Sequence, residues 1–257
     1  MILRSLTRHV RDQNWFAVGL DFLIVVVGVF IGIQVANWNE SRQDQATGHA
    51  YLARIQEDLT VDRAILVDRG AFWTSTTNYG ESALRYLEDG VRVNGSAWDT
   101  VVALYHATQV WGFSLYDSTY REMISAGNLG LIPDPDLRRA LGDYYSAGFD
   151  QKQFVFQMIP DYRATVRGMM PWTIQNYIWA SCMEAPGLDD YRLLDCESPV
   201  TEDQAQALLD QLTDRIEVVE QLRNWLRNLE LMNTWQSQLI EASNELDQRI
   251  VESVDSQ

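Results

Sequence analysis

From Trp15 to Val35 the chain reads WFAVGLDFLIVVVGVFIGIQV, and Phe22 to Ile33 carries no polar side chain. As a helix these 21 residues rise by roughly 31 Å, the thickness of a bilayer's hydrocarbon core. The pattern predicts one transmembrane helix over residues 15–37. A cleaved signal has a shorter apolar region, about 7–15 residues, and a small-x-small site. Here cleavage after Ala36 puts Gln34 at the −3 position, so an uncleaved signal anchor is expected.

Past the span the apolar spacing becomes helical. Tyr51, Leu52, Ile55, Leu59, Ala64 and Leu66 recur at three or four residues, so a helix leaves the membrane directly and runs to about Arg69. A second helix is expected from Thr74 to Leu87, then a turn-rich EDGVRVNGS, then a third from Ser96 to Val110. Thr119 and Glu122 have capping-box spacing for a helix that stops at Gly127. Pro133 and Pro135 hold the next loop open before a helix bounded by Pro160. Asp134 and Asp136 are read as charges complementing that helix's dipole rather than as cation ligands. Between Pro160 and Pro199 the aromatic run MMPWTIQNYIWASCM is read as helix-packing core, with an apolar pocket as the alternative.

The C-terminal pattern is the most regular. Thr201 and Gln204 form a capping box, and apolar residues from Leu208 to Leu239 follow at three- and four-residue steps. One helix approaching about 50 residues is expected, roughly 70 Å long. It is long enough to run back along residues 43–69. No sustained alternation predicts strands. The expected fold is all-α: a single N-terminal transmembrane helix followed by an extracytoplasmic antiparallel helical bundle.

Charge sets the orientation. Arg4, Arg8 and Arg11 precede the span against Asp12 alone, so residues 1–14 form a cytoplasmic tail. Residues 38–257 then lie outside the cytoplasm, in a bacterial cell the periplasm. The chain carries a net charge of −16, and the part after the span is more acidic still. Such a domain lacks the basic patches that nucleic acid requires. The expected partners are the lipid bilayer and membrane-protein helices, its own or others'.

In an oxidising compartment the two cysteines, Cys182 and Cys196, can pair across a closed loop. Two free thiols are the alternative. No histidine lies near either one to suggest a metal site.

On the span itself, Ala17, Asp21, Gly28, Gly32 and Asn39 fall within about 40° of one line at 100° per residue. Gly28 and Gly32 are a small-xxx-small pair, which lets helices approach closely in lipid. A carboxylate within the span, Asp21, normally faces protein or water. This stripe is a candidate helix–helix interface, with a purely lipid-facing helix as the alternative. Trp15 and Trp38 suit the two membrane boundaries.

Asp21, Gly28 and the run QVANWNESR resemble a bacterial family of single-span membrane proteins of unknown function. That family carries a Gly-Glu pair, an apolar span and then a motif close to Leu-Gln-Ile-Asn-Asn-Trp-Asn-Glu. Asp21 stands at the family's Glu, and Gln34, Asn37, Trp38, Asn39 and Glu40 match the motif. Leu20 and Ala36 depart from it. The stretch DSTYREMISAGNLGLIPDPDLRRALGDYY is similar to a second pattern of the family. The resemblance implies a single span and a helical exported domain, and no reaction.

His9, His49 and His106 are scattered, and no HExxH, GxSxG, P-loop or dinucleotide fingerprint occurs. No catalytic residue, metal or cofactor is expected. The leading expectation is a non-enzymatic anchored protein, a homo-oligomer or an accessory or scaffold subunit of an inner-membrane complex. A ligand-sensing domain that signals through a partner is the alternative. A cell-envelope enzyme with a pocket around Trp172 to Trp179 ranks third.

Overall fold

Every proline of the chain lies beyond residue 132, so nothing interrupts the first helical pattern. In a computed structural model, α1 runs unbroken from Trp15 to Asp89, 75 residues and about 110 Å. The structure describes residues 15–157, 159–185, 187 and 190–255, and for residues 15–18, 21 and 154–157 the backbone alone. The tail expected at 1–14 lies outside the described residues. So does the chemistry expected at the side chains of Trp15, Ala17 and Asp21.

The expected division into helices ending at Arg69 and starting at Thr74 does not occur. Gly70 lies at the expected boundary. It sits mid-helix, and a Cβ there would lie 2.8 Å from the Gln236 side chain. The glycine serves a close approach, not a break. Gly90, in the left-handed conformation at φ 71°, follows the last residue and returns its N–H to Tyr86 O at 2.8 Å.

A 3₁₀ turn, Val93–Gly95, leads into α2, Ala97–His106. Ser96 caps α2 by accepting the Asp99 N–H at 3.1 Å. The helix stops short of the expected Val110. The Thr108 hydroxyl takes the Tyr105 carbonyl at 2.7 Å, and Arg163 takes the Thr108 carbonyl at 2.8 Å. The chain then crosses to α3, Ser118–Ser125, in neither helix nor strand. The capping box expected from Thr119 and Glu122 does not form. Asp117 holds the cap position, Thr119 is buried, and Glu122 reaches back to Arg54 at 2.6 Å.

Gly127, at φ 72°, ends that segment. The 3₁₀ turn Asn128–Leu131 packs so tightly on α1 that a Cβ on Gly48 would sit 2.6 Å from the Leu131 carbonyl oxygen. Helix α4 runs from Pro135 to Gln157, with Asp134 accepting the Asp136 N–H at 2.8 Å. Two short helices follow, α5 (Asp161–Met169) and α6 (Trp172–Ser181). A small antiparallel pair comes next, β1 (Met183–Glu184) with β2 (Arg192–Leu193). Strands of two residues show no alternation, so periodicity could not reveal them.

The capping box of Thr201 and Gln204 forms in full, but the last helix is two. α7 spans Glu202–Thr213 and α8 spans Ile216–Asp255. The buried positions explain the break. Ala205, Leu209 and Leu212 face inward, then Val218, Leu222 and Trp225, while Ile216 is exposed. Six residues separate Leu212 from Val218, about 120° off a shared face, so the chain re-aims at Asp214.

α8 returns along α1 in the opposite direction. Arg223 meets Glu88 at 2.9 Å, Gln236 meets the Leu66 carbonyl at 2.9 Å, and Gln56 meets Asp247 at 2.7 Å. Between these helices and α2 lie Leu59, Leu66, Trp73, Leu104, Trp225 and Leu229, all buried. The described residues are thus all-α apart from one strand pair.

Candidate functional site

From Phe22 to about Gln45 α1 is exposed among the described residues. From Phe22 to Val35 its large apolar residues are all exposed, and the segment is long and apolar enough to cross a membrane. A Cβ added to Gly28 or Gly32 would meet nothing within 4 Å. Because α1 is helical throughout, the backbone keeps Ala17, Asp21, Gly28, Gly32 and Asn39 on one face. Trp38 is 62% exposed, with the Arg42 guanidinium 5.0 Å from its ring centroid. The rest of the chain first covers α1 at Thr47 and Gly48, so a bare polar stalk of about 14 Å separates Trp38 from the packed domain.

A second feature lies within the domain. The segment after α2 arches over α1 and borders a cavity of about 600 Å³, open to solvent, lined by Ile65, Arg69, Trp111, Phe113, Leu115 and Asp117, among others. That volume suits a small molecule. Trp73 donates its indole N–H to the Trp111 carbonyl at 3.0 Å and meets Phe113 edge-on at 6.2 Å. The Arg69 guanidinium lies 5.3 Å from the Trp111 centroid, and Tyr191 packs on Trp111 at 3.8 Å.

Beside the cavity is a buried carboxylate, Asp62, 0% exposed. It accepts the Tyr116 N–H at 2.6 Å and the Tyr144 hydroxyl at 2.9 Å. Burial pushes its pKa up to about 6, reinforced by the negative Asp58 and Asp117 and opposed by the two donors. Asp62 carries a signal in the sequence. Ile55, Asp62, Arg69 and Thr76 are spaced by seven and continue the stripe of Leu52, Leu59 and Leu66. Three polar residues on an inward face mark buried polar contacts.

The aromatic run after Pro160 is not simply core. Ile174, Ile178 and Cys182 are buried, but Trp172 is 72% and Trp179 47% exposed. Neither tryptophan lines the cavity, which Trp111 shapes instead. His106 is fully enclosed, and burial lowers its pKa to about 4. Its neutral ring faces the Leu194 carbonyl through Nε2 at 3.1 Å and packs on Tyr79 at 4.7 Å. Among the described residues no group of three or more His, Cys, Asp or Glu is arranged to hold a metal ion.

Cys182 and Cys196 are joined in a disulfide, with Cα atoms 5.0 Å apart. It closes the base of the β1–β2 hairpin. Trp98 secures the same hairpin by donating to the Cys196 carbonyl at 3.0 Å, and Tyr177 does so at Glu197 at 2.9 Å. Serine at both cysteines is expected to cost about 3 kcal/mol, the loop-closure entropy of a loop this size. Urea denaturation of oxidised wild type against the double variant measures it, and equal midpoints would refute the estimate.

Compared with known protein families, curated proteins and solved structures, the chain matches none.

Proposed function

We propose that this chain is a single-pass protein of a bacterial inner membrane. Its N-terminus lies in the cytoplasm and its helical domain in the periplasm, where it acts as a homo-oligomer or as an accessory subunit of a membrane complex. The observation that carries this reading is the continuity of α1: a bare apolar segment becomes, without a break, the central helix of a packed domain. Apolar surface on that scale is otherwise costly in water. The arginines before the span and the resemblance to single-span proteins support the orientation. The antiparallel bundle reads as a body held off the membrane by the stalk. The face of Gly28 and Gly32 is the helix–helix contact.

Native mass spectrometry of the full chain in mild detergent tests it. Wild type is expected as an oligomer or with a second membrane protein, and Gly28→Leu with Gly32→Leu is expected to release it. A lone wild-type chain would overturn the assembly reading.

One observation favours a second reading, a sensor. Ile65 and Arg69, which line the cavity, belong to the same helix as the apolar segment. A small molecule retained by the native particle would support that reading over a purely structural role. An enzyme ranks behind both.

A further inference from the structure

We infer that Asp62 is an acid-set latch: by holding Tyr116 it ties the wall of the Trp111 cavity to α1, and it holds that wall more tightly in acid than at neutral pH. The inference stands whether or not the chain oligomerises.

The geometry is that of a charge held where charge is costly. Asp62 is enclosed on the inward face of α1. An ionised carboxylate can accept about four hydrogen bonds. Asp62 has two among the described residues, from the Tyr116 N–H and the Tyr144 hydroxyl. No cation pairs with it among those residues. Arg63 is engaged by Asp247 and Ser243, Arg54 by Glu122, and Arg121 by Asp117.

The groups facing Asp62 from each packed element make matters worse for a negative charge. Asp58 lies one turn back on α1, and Asp117 follows Tyr116 in the wall. From α4 come Tyr144 and Tyr145, and the buried Tyr145 hydroxyl has no partner among the described residues. Tyr120 of α3 stacks on Tyr145 at 4.6 Å. From α8 comes Ser243, neutral, which bonds Tyr144.

The wall is held by ring packing at Trp111 and Phe113 and by few hydrogen bonds among the described residues. Between Val110 and Tyr116 the backbone is neither helix nor strand. Two side chains of α1 hold it by hydrogen bonds, Trp73 at the Trp111 carbonyl and Asp62 at the Tyr116 N–H. Lifting the wall therefore hydrates Asp62.

The direction follows from linkage. The folded pKa, about 6, lies above the ordinary value of 3.8. Between those values the closed form binds more protons than the open one. Opening is therefore favoured as pH rises, and the full effect is reached above about pH 6. Protonated Asp62 gains an O–H donor and keeps acceptor capacity for the Tyr116 N–H and the Tyr144 hydroxyl.

Whole-domain stability is the wrong readout, because His106 works in the opposite sense. Its pKa, lowered to about 4, makes the folded state lose stability as pH falls below the ordinary 6.5. The two effects oppose each other in one window. The wall has to be read locally.

The test is hydrogen exchange by mass spectrometry on the full chain in nanodiscs, at about pH 5 and about pH 7.5, with intrinsic rates removed. Opening of the peptide covering residues 110–118 is expected to be about tenfold greater at the higher pH. Asp62→Asn should erase the difference while α2 exchanges alike in both proteins. A wild-type ratio within about twofold, or an Asp62→Asn chain keeping the full pH response, overturns the latch. Should that variant fail to fold, wild type labelled with ¹⁵N-tyrosine decides. The Tyr116 amide is expected to titrate with a midpoint near 6, and higher in Tyr144→Phe, which loses one donor. An amide that does not move across this range also overturns it.

Discussion

Aspartate at both Val26 and Val29 is expected to move the chain from the carbonate-resistant membrane fraction into the soluble one. Both side chains are exposed on the apolar part of α1. An aspartate at the centre of a spanning helix costs about 2.5–3.5 kcal/mol, so two cost about 5–7 kcal/mol, enough to reverse insertion of a single segment. The control uses the same chemistry elsewhere. Val61 and Val67 are also exposed on α1, but within the packed domain, where water already meets them. Aspartate at those two sites is expected to leave fractionation unchanged and to alter stability by about 0.5 kcal/mol or less at each. If both pairs behave alike, the apolar segment is not the anchor.

Trp225→Ala is expected to cost the domain about 3–5 kcal/mol. Trp225 is fully buried where α8 meets the end of α2, and its indole N–H donates to the Ala107 carbonyl at 2.8 Å. Two losses add. A large cavity opens in the core, and a buried carbonyl loses its partner. The neighbourhood cannot easily collapse, because Gly80 of α1 already admits Leu226 so closely that a Cβ would lie 2.7 Å from its Cδ2. Urea denaturation of the detergent-solubilised chain measures the effect. Trp172→Ala removes an equally large but exposed side chain and should change the midpoint little. A loss at Trp225 below about 1 kcal/mol would contradict its burial at the end of α2.

How far the sequence could be read depended on whether a signal was local. The apolar run, the stop at Gly127 and the caps at Ser96 and Thr201 are written within a few residues, and the structure contains each of them. Where tertiary contact decides, local rules misled. The helix expected to end near Arg69 continues through Gly70, and only Gln236, far along the chain, shows why a glycine stands there. Glu122 had the spacing of a cap, yet an arginine from another helix claims it. The break after Thr213 follows from a change of buried face that unbroken leucine spacing conceals. The cavity was out of reach, because its wall has no periodicity. Asp62 was within reach: a carboxylate in step with Leu52, Ile55, Leu59 and Leu66 cannot be on the solvent face of that helix.

The bare polar stretch between Trp38 and Thr47 limits what can touch what. With the apolar segment in lipid, the globular body hovers about 14 Å above the headgroups and its far tip rises to roughly 75 Å. A neighbour flush with the bilayer reaches only the stem. A membrane-embedded companion would have to project at least about 14 Å to meet the body.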